Sequence, residues 1–198
     1  MPDQIEHGTS HISIVDGYGN ALAMTTTIED QFGARLMTDG GTGKAGGFLL
    51  NNQLTDFSFT PTDAEGKPIA NRVQPGKRPR SSMAPTLVFD KTTGQLVMSG
   101  GSPGGAFIIH YTAKLLYGTL NWGLNAQQAI DLPNFGTTGG SAVLEEKRFP
   151  PSTVEALRAR GADVGEQAMT SGLQAIQSTT GGFFGGADPR REGLVMGE

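Results

Sequence analysis

The sequence contains no cysteine among its 198 residues. This absence excludes disulfide bonds, a thiol nucleophile, and zinc or iron–sulfur centres with cysteine ligands. Charge is also scarce, because only 17% of the residues are charged, and 15 Lys and Arg against 19 Asp and Glu give a net charge of −4. We therefore expect no basic surface of the kind that binds nucleic acid.

Long apolar segments are lacking as well. The run Ala106–Ile109 ends at His110, far short of the roughly 20 residues that cross a bilayer. We therefore expect no membrane-spanning segment in this chain. The first eight residues have neither the basic start nor the apolar centre of a signal peptide.

Glycine, in contrast, is abundant. The 30 glycines are about twice the usual share, and together with 11 prolines they indicate a globular protein rich in turns. A chain of this length suits one compact domain or part of a larger one.

The first strong structural pattern is a hairpin. Two runs rich in β-branched residues, His11–Val15 and Ala21–Thr27, flank the turn sequence Asp16–Asn20. If the turn centres near residue 18, the numbers of paired residues add up to about 36. Thr9 then lies opposite residues 26 to 28, and the hydroxyls of Thr9 and Thr27 face each other.

The remaining patterns alternate between strands and helices. Ser58–Gly76 is polar and proline-containing, which indicates a surface loop that could serve as a lid. The other predicted elements are a hairpin of Thr86–Asp90 and Leu96–Ser99, helices over Ala106–Trp122 and Asn125–Leu132, a helix capped by Ser152 and Glu155 that ends near Gly161, and strand pieces at Met169–Ser178 and Gly193–Met196 around the glycine run 181–186. This order predicts an α+β layered sandwich with mostly antiparallel sheets.

Few residues offer familiar catalytic patterns. The three histidines form no metalloprotease motif, and no metal or cofactor site is expected. Gly100–Gly105 precedes a helix but lacks the residues of a phosphate-binding loop. A pair of backbone N–H groups at that helix start could stabilise an oxyanion, although a purely structural turn is the simpler interpretation.

Four sequence blocks give a more specific indication. They are Thr9–Thr27 (TSHISIVDGYGNALAMTTT), Phe48–Ser58 (FLLNNQLTDFS), Lys77–Thr86 (KRPRSSMAPT) and Gly100–Gly105 (GGSPGG). In this order they resemble the small subunit of the γ-glutamyltranspeptidases, a family of N-terminal-nucleophile hydrolases. The resemblance continues through Asp188–Arg190 and so covers nearly the whole chain.

The resemblance assigns catalytic roles. Thr9 matches the nucleophile, which the family exposes by autocatalytic cleavage of the preceding bond, here Gly8–Thr9. Residues 1–8 would then be a remnant of the preceding segment, and residues 9–198 the small catalytic subunit. Thr27 matches the second threonine, whose hydroxyl bonds the nucleophile, and Gly104 with Gly105 matches the oxyanion pair. Without the resemblance, Gly8–Ser10 would be interpreted as an ordinary strand entry.

The resemblance also assigns substrate-binding roles. Glu29, Gln53 and Asp56 match the positions that hold the α-ammonium of the substrate, and without the resemblance they would be interpreted as a solvated loop. Ser81 and Ser82 match the pair that binds the α-carboxylate together with an arginine of the large subunit. Many bacterial members have Asn where Glu29 stands, so the acyl preference of this chain could differ from theirs.

The implied assembly is a heterodimer with a large subunit of the same precursor, forming a four-layer αββα sandwich. The implied activity is transfer or hydrolysis of the γ-glutamyl group of glutathione or related compounds, in a periplasmic or extracellular location. Two alternatives remain open at this point. One is an acylase on the same scaffold that acts on glutaryl or cephalosporin-type amides, and the other is a truncated or unprocessed chain without catalysis.

Overall fold

The computed structural model describes residues 8–197. Residues 1–7 of the expected remnant lie outside the described residues. The described residues divide into two units, the first made of residues 8–9 and 26–82 and the second of residues 10–25 and 83–197. Each unit has its own set of strands.

The first unit is built around short elements. Strands β3 (Met37–Thr38) and β4 (Phe48–Leu49) pair antiparallel, with Met37 opposite Leu49. A single turn of 3₁₀ helix follows at Gln53–Asp56. The loop 58–76 is tied down by a bridge between Ser58 and Arg72, and its role as a lid remains a prediction.

The second unit contains the remaining strands and all the α-helices of residues 8–197, although β1 and β2 reach the first unit at their outer ends. The elements are β1 (Thr9–Val15), β2 (Ala21–Thr27), β5 (Thr86–Phe89), β6 (Leu96–Gly101), α1 (Ile108–Asn121), α2 (Ala126–Asp131), β7 (Phe135–Gly136), β8 (Ala142–Glu145), α3 (Pro151–Ala159), β9 (Val164–Gln167), β10 (Gln174–Thr179) and β11 (Gly182–Ala187).

The main sheet has the strand order β11-β10-β6-β5, and all its pairs are antiparallel. Its core joins the sheet to α1 and α2 through Met98, Leu115, Ile130 and Leu173, each at most 1% exposed. A smaller sheet, β7-β8-β9, contains the parallel pair β8–β9 and packs against α3. Helices and mostly antiparallel sheets confirm the α+β prediction.

Two adjacent glycines let β6 contact both of its neighbours closely. A side chain at Gly100 would press on Leu115 of α1, and a side chain at Gly101 would collide with the ring of His11 on β1. Consecutive strand residues face opposite sides of a sheet. The main sheet therefore carries α1 on one face and the β1–β2 hairpin on the other. A hydrogen bond from Ser99 Oγ to the Leu22 carbonyl, 2.8 Å, holds the hairpin there.

Several predicted elements differ in the structure. Helix α3 begins at Pro151, one residue before Ser152, and has no side-chain cap, so the predicted capping box is wrong. Proline suits the first helical position because its fixed φ is already helical and its missing N–H costs nothing there.

The glycine run 181–186, which we expected to separate two strands, lies in strand β11 from Gly182 onwards. The preceding strand begins at Gln174 rather than Met169, and Gly193–Met196 forms no strand. Because glycine has no side chain, α2 can pack closely against β11. A side chain at Gly186 would meet Ile130 of α2. Turn-like composition therefore reflects close packing here rather than a chain reversal.

His11 gives the hairpin a predicted pH response. Its ring is buried between Thr25 Oγ1 (2.8 Å) and Ser13 Oγ (3.1 Å), and burial lowers its pKa from 6.5 to about 4. The unfolded chain therefore binds more protons between these two values, so stability is lost as the pH falls through this range. We expect a loss of about 2 kcal/mol between pH 7 and pH 4.5 from this group.

Urea unfolding at both pH values measures this loss. The variant His11→Gln, which cannot take up the proton, should show a smaller loss of unfolding free energy by that amount. Equal pH dependence in the wild type and His11→Gln would contradict the assignment.

Candidate active site

Thr9 and Thr27 stand at the open ends of the two hairpin strands. Asp16 N–H donates to the Asn20 carbonyl, and His11 bonds Thr25, so both pairs add up to 36. Thr9 and Thr27 have the same sum, which places them across from each other as predicted. Thr9 is only 4% exposed.

The Thr27 hydroxyl touches the peptide bond that precedes Thr9. Its Oγ1 donates a hydrogen bond to the Gly8 carbonyl oxygen at 3.4 Å and accepts one from Glu29 N–H at 2.8 Å. One hydroxyl therefore contacts both the predicted cleavage site and the first predicted substrate-binding residue.

Gly8 packs against the backbone beside this hydroxyl. A Cβ at position 8 would collide with the carbonyl of Glu29. The absence of a side chain therefore allows the Gly8–Thr9 bond to lie directly against residue 29.

Glu29 combines three unusual features. Its backbone has a φ of 78°, a left-handed conformation that is uncommon outside glycine. The residue is 6% exposed, and its Oε2 has no hydrogen-bond partner among residues 8–197. A buried carboxylate oxygen without a partner is costly unless a ligand satisfies it. Backbone strain of this kind occurs often at functional sites.

The predicted ammonium-binding residues lie on neighbouring segments. Asn52 holds those segments together, because its N–H donates to the Ile28 carbonyl (3.1 Å) and its Oδ1 accepts from Asp30 N–H (3.0 Å). The two bonds join the residues on either side of Glu29 to Asn52, and Asn52 directly precedes the 3₁₀ turn Gln53–Asp56. Glu29 and Asp56 are therefore held in the same part of the first unit.

The electrostatics of Asp56 reflect this arrangement. Burial raises the pKa of the Asp56 carboxyl, the negative charge of Glu29 raises it further, and Arg80 partly opposes both effects. Two carboxylates that repel each other bind a shared cation more readily than either would alone. The pair thus suits an ammonium group.

A cavity of about 290 Å³ adjoins Asp56. It brings together three of the predicted binding residues, namely Gln53, Asp56 and Ser81. Ser82 follows Ser81 in the chain but is not part of the lining. The cavity is lined by Asn51, Gln53, Leu54, Asp56, Arg78, Pro79, Arg80 and Ser81.

Arg78 and Arg80 line the cavity but were not among the predicted site residues. Both lie in the block Lys77–Thr86, which carries part of the family resemblance, so a signal for them was present. Their guanidinium groups give one side of the cavity a positive lining. A cavity with Asp56 on one wall and arginines on another suits a ligand that carries both charges.

Gly104 and Gly105 belong to the second unit. They have φ values of 133° and 56° and open the 3₁₀ turn Gly105–Phe107 that leads into α1. A side chain at Gly104 would collide with the ring of the buried Tyr111. The first N–H groups of a helical segment have no partner within it, and the oxyanion role of these two glycines stays a prediction.

The described part of the chain shows neither a metal site nor a membrane-spanning helix. Residues 8–197 hold no group of three or more His, Asp or Glu side chains placed to bind a metal ion. Within the same range, no helix combines the length and apolar character that crossing a bilayer requires.

Comparison with known proteins now defines the class of the chain. Residues 2–198 match the family described as gamma-glutamyltranspeptidase. The chain is 35% identical to the glutathione hydrolase proenzyme of Bacillus subtilis strain 168 over 98% of its length, and 36% identical to that of Escherichia coli K12 over 92% of its length. It covers 32% and 31% of those proteins, so it spans about a third of them.

Solved structures agree with this result. An acivicin-inhibited gamma-glutamyltranspeptidase superimposes with a TM-score of 0.77 at 31% identity, covering 92% of this chain and 98% of the other. The enzyme from Pseudomonas nitroreducens complexed with L-DON gives 0.79 at 28% identity, covering 95% and 98%. This chain belongs to the γ-glutamyltranspeptidase family, as its sequence motifs predict. The roles of individual site residues remain predictions.

The charge pairing in the first unit can be tested by titration. In the variant Glu29→Gln, one of the two effects that raise the Asp56 pKa is removed, so the Asp56 pKa should move down. Carboxyl-selective NMR titration of labelled Asp measures this shift. Asp30→Asn, at an exposed neighbour of Glu29, is the control and should change the Asp56 pKa less. An unchanged Asp56 pKa in Glu29→Gln would show that the two carboxylates do not interact.

Proposed function

We propose that this chain is the small catalytic subunit of a γ-glutamyl hydrolase or transferase that acts on glutathione or related γ-glutamyl amides. The observation that carries the proposal is the contact between the Thr27 hydroxyl and the Gly8 carbonyl at the bond before Thr9. A hydrogen bond to a carbonyl oxygen stabilises the negative charge that develops there when a nucleophile attacks.

Self-cleavage is the first step of the proposed mechanism. Thr9 Oγ attacks the Gly8 carbonyl carbon, the C–N bond breaks as the C–O bond forms, and the hydroxyl proton moves to the departing nitrogen. Water then hydrolyses the ester. The products are a carboxylate at Gly8 and a Thr9 that carries a free hydroxyl and a free α-amine.

The free amine then makes turnover possible. Its pKa of roughly 8 lies close to neutral pH, so it can take the hydroxyl proton as a general base. Thr9 attacks the γ-amide carbonyl of the substrate, the amine leaves, and a γ-glutamyl ester remains on the enzyme. Water or an acceptor amine resolves this ester. Gly104 and Gly105 keep the oxyanion role that the resemblance assigns to them.

The proposed specificity rests on the carboxylates of the first unit. Glu29 has a buried oxygen without a partner among the described residues, and its charge acts on Asp56. Both features support binding of the substrate α-ammonium. A glutaryl amide has the same chain but no ammonium group, so it would leave both carboxylates uncompensated. This difference favours γ-glutamyl substrates over glutaryl ones.

A large subunit is the proposed partner. The chain covers about a third of the curated proenzymes but 98% of separate solved chains, which supports a precursor that yields two chains. The outward face of the β1–β2 hairpin also supports a partner, because it exposes a cluster of four apolar side chains, Ile12, Ile14, Leu22 and Met24. A periplasmic or extracellular location is proposed from the resemblance alone.

The proposal is tested with two anilides on the processed heterodimer. A γ-glutamyl anilide should release its aniline, and a glutaryl anilide should react at least about tenfold more slowly. In Asp56→Asn, KM for the γ-glutamyl anilide should rise by about tenfold, because a charged hydrogen bond is weakened, while the rate with the glutaryl anilide should change little.

Two results would contradict the proposal. The first is a wild-type rate in Thr9→Ala, which would remove the nucleophile from its role. The second is equal reaction of both anilides in the wild type, which would favour a general acylase.

A further inference from the structure

The two walls of the 290 Å³ cavity come from separate stretches of the first unit. One wall is the 3₁₀ turn with Gln53 and Asp56, and the other is the segment Arg78–Ser81. About twenty residues of loop separate them in the chain. A contact that links these two stretches therefore bears on the shape of the cavity.

Asn71 makes that connection. Its side-chain Nδ2 donates to the Asp56 carbonyl oxygen at 2.7 Å, and its Oδ1 accepts from Arg80 N–H at 3.0 Å. Its backbone carbonyl also accepts from Ser58 N–H at 2.9 Å. One amide thus joins a residue of each wall, while Asn71 itself is not part of the lining.

The chemistry of both contacts suits an amide. The Asp56 carbonyl needs a donor and the Arg80 N–H needs an acceptor, and a short amide side chain offers these on two separate atoms, whereas a hydroxyl would have to serve both from one. Aspartate would keep the acceptor and lose the donor. Alanine would lose both groups.

We propose that Asn71 is a positioning residue that sets the spacing between Asp56 and the Arg78–Ser81 segment, and thereby the affinity of the cavity for its γ-glutamyl ligand. This inference rests on the proposed function. It gives the loop 58–76 a defined task, because the last part of that loop spans the two walls. The opposing effects of Glu29 and Arg80 on the Asp56 pKa agree with a spacing at which both charges reach Asp56.

The inference predicts a selective change in kinetics. Thr27 and Gly8 are held by contacts that do not involve Asn71, so self-cleavage and kcat should be preserved. Loss of two hydrogen bonds that fix the cavity should raise KM by about tenfold. A purely structural role would lower the amount of active enzyme and kcat instead.

The experiment compares variants of the processed heterodimer with a γ-glutamyl anilide. We expect Asn71→Ala to raise KM by about tenfold, with kcat within about twofold of the wild type. The KM of Asn71→Asp should lie between those of the wild type and Asn71→Ala, because this variant keeps the acceptor for Arg80 N–H. It also serves as the deciding variant if Asn71→Ala is not processed.

Asp63→Ala is the matched control from the same loop. Asp63 accepts bonds from Glu65 N–H (3.1 Å) and Lys67 N–H (2.8 Å) at the far turn and contributes nothing to the cavity lining. Its KM should equal that of the wild type. A wild-type KM in the Asn71 variants would overturn the inference. Equal losses of kcat in Asn71→Asp and Asp63→Ala would overturn it as well. A wild-type enzyme that releases no aniline would instead refute the proposed function.

Discussion

The hydroxyl of Thr27 is the contact on which the proposed site depends. It donates to the Gly8 carbonyl and accepts from the N–H of Glu29, so the residue before the predicted nucleophile and the first predicted substrate-binding residue share one anchor. The left-handed backbone at Glu29 brings its N–H to this anchor and its carbonyl against Gly8. The bond to be cleaved and the buried carboxylate are therefore positioned by the same few atoms.

The strands that carry these threonines are fixed by the sheet beneath them. Gly101 accepts the His11 ring on one face of β6, and Gly100 accepts Leu115 on the other. Larger residues at either glycine would separate the layers. The position of the hairpin thus depends on the close packing of β6, and the positions of Thr9 and Thr27 depend on their place at the hairpin's ends. The substrate cavity has separate supports, namely Asn52 and Asn71.

Much of this could be predicted from the sequence because local chemistry agreed with the fold. The hairpin register followed from the turn Asp16–Asn20, and it correctly paired Thr9 with Thr27. The start of α3 was predicted too late in the chain because the local signal of Pro151 was not used. The strand β11 could not be predicted, since its glycines pack under α2 through tertiary contacts. Arg80 was missed for a similar reason. Its N–H donates to Asn71, nine residues earlier in the chain, and this contact holds its segment at the cavity. Motif resemblance identified the family, but long-range contacts decided which residues share a cavity.

The N-terminus of the mature chain decides whether Thr9 can act as the nucleophile with its own free amine as the base. The full precursor that contains this sequence is expressed, and the intact mass and N-terminal sequence of this chain are determined alongside the rate with a γ-glutamyl anilide. We expect the active chain to begin at Thr9, and we expect the variant Thr9→Ala to keep the Gly8–Thr9 bond intact. An enzyme that turns over the anilide while Gly8 is still joined to Thr9 would contradict this expectation, because the amine proposed as general base would then be an amide.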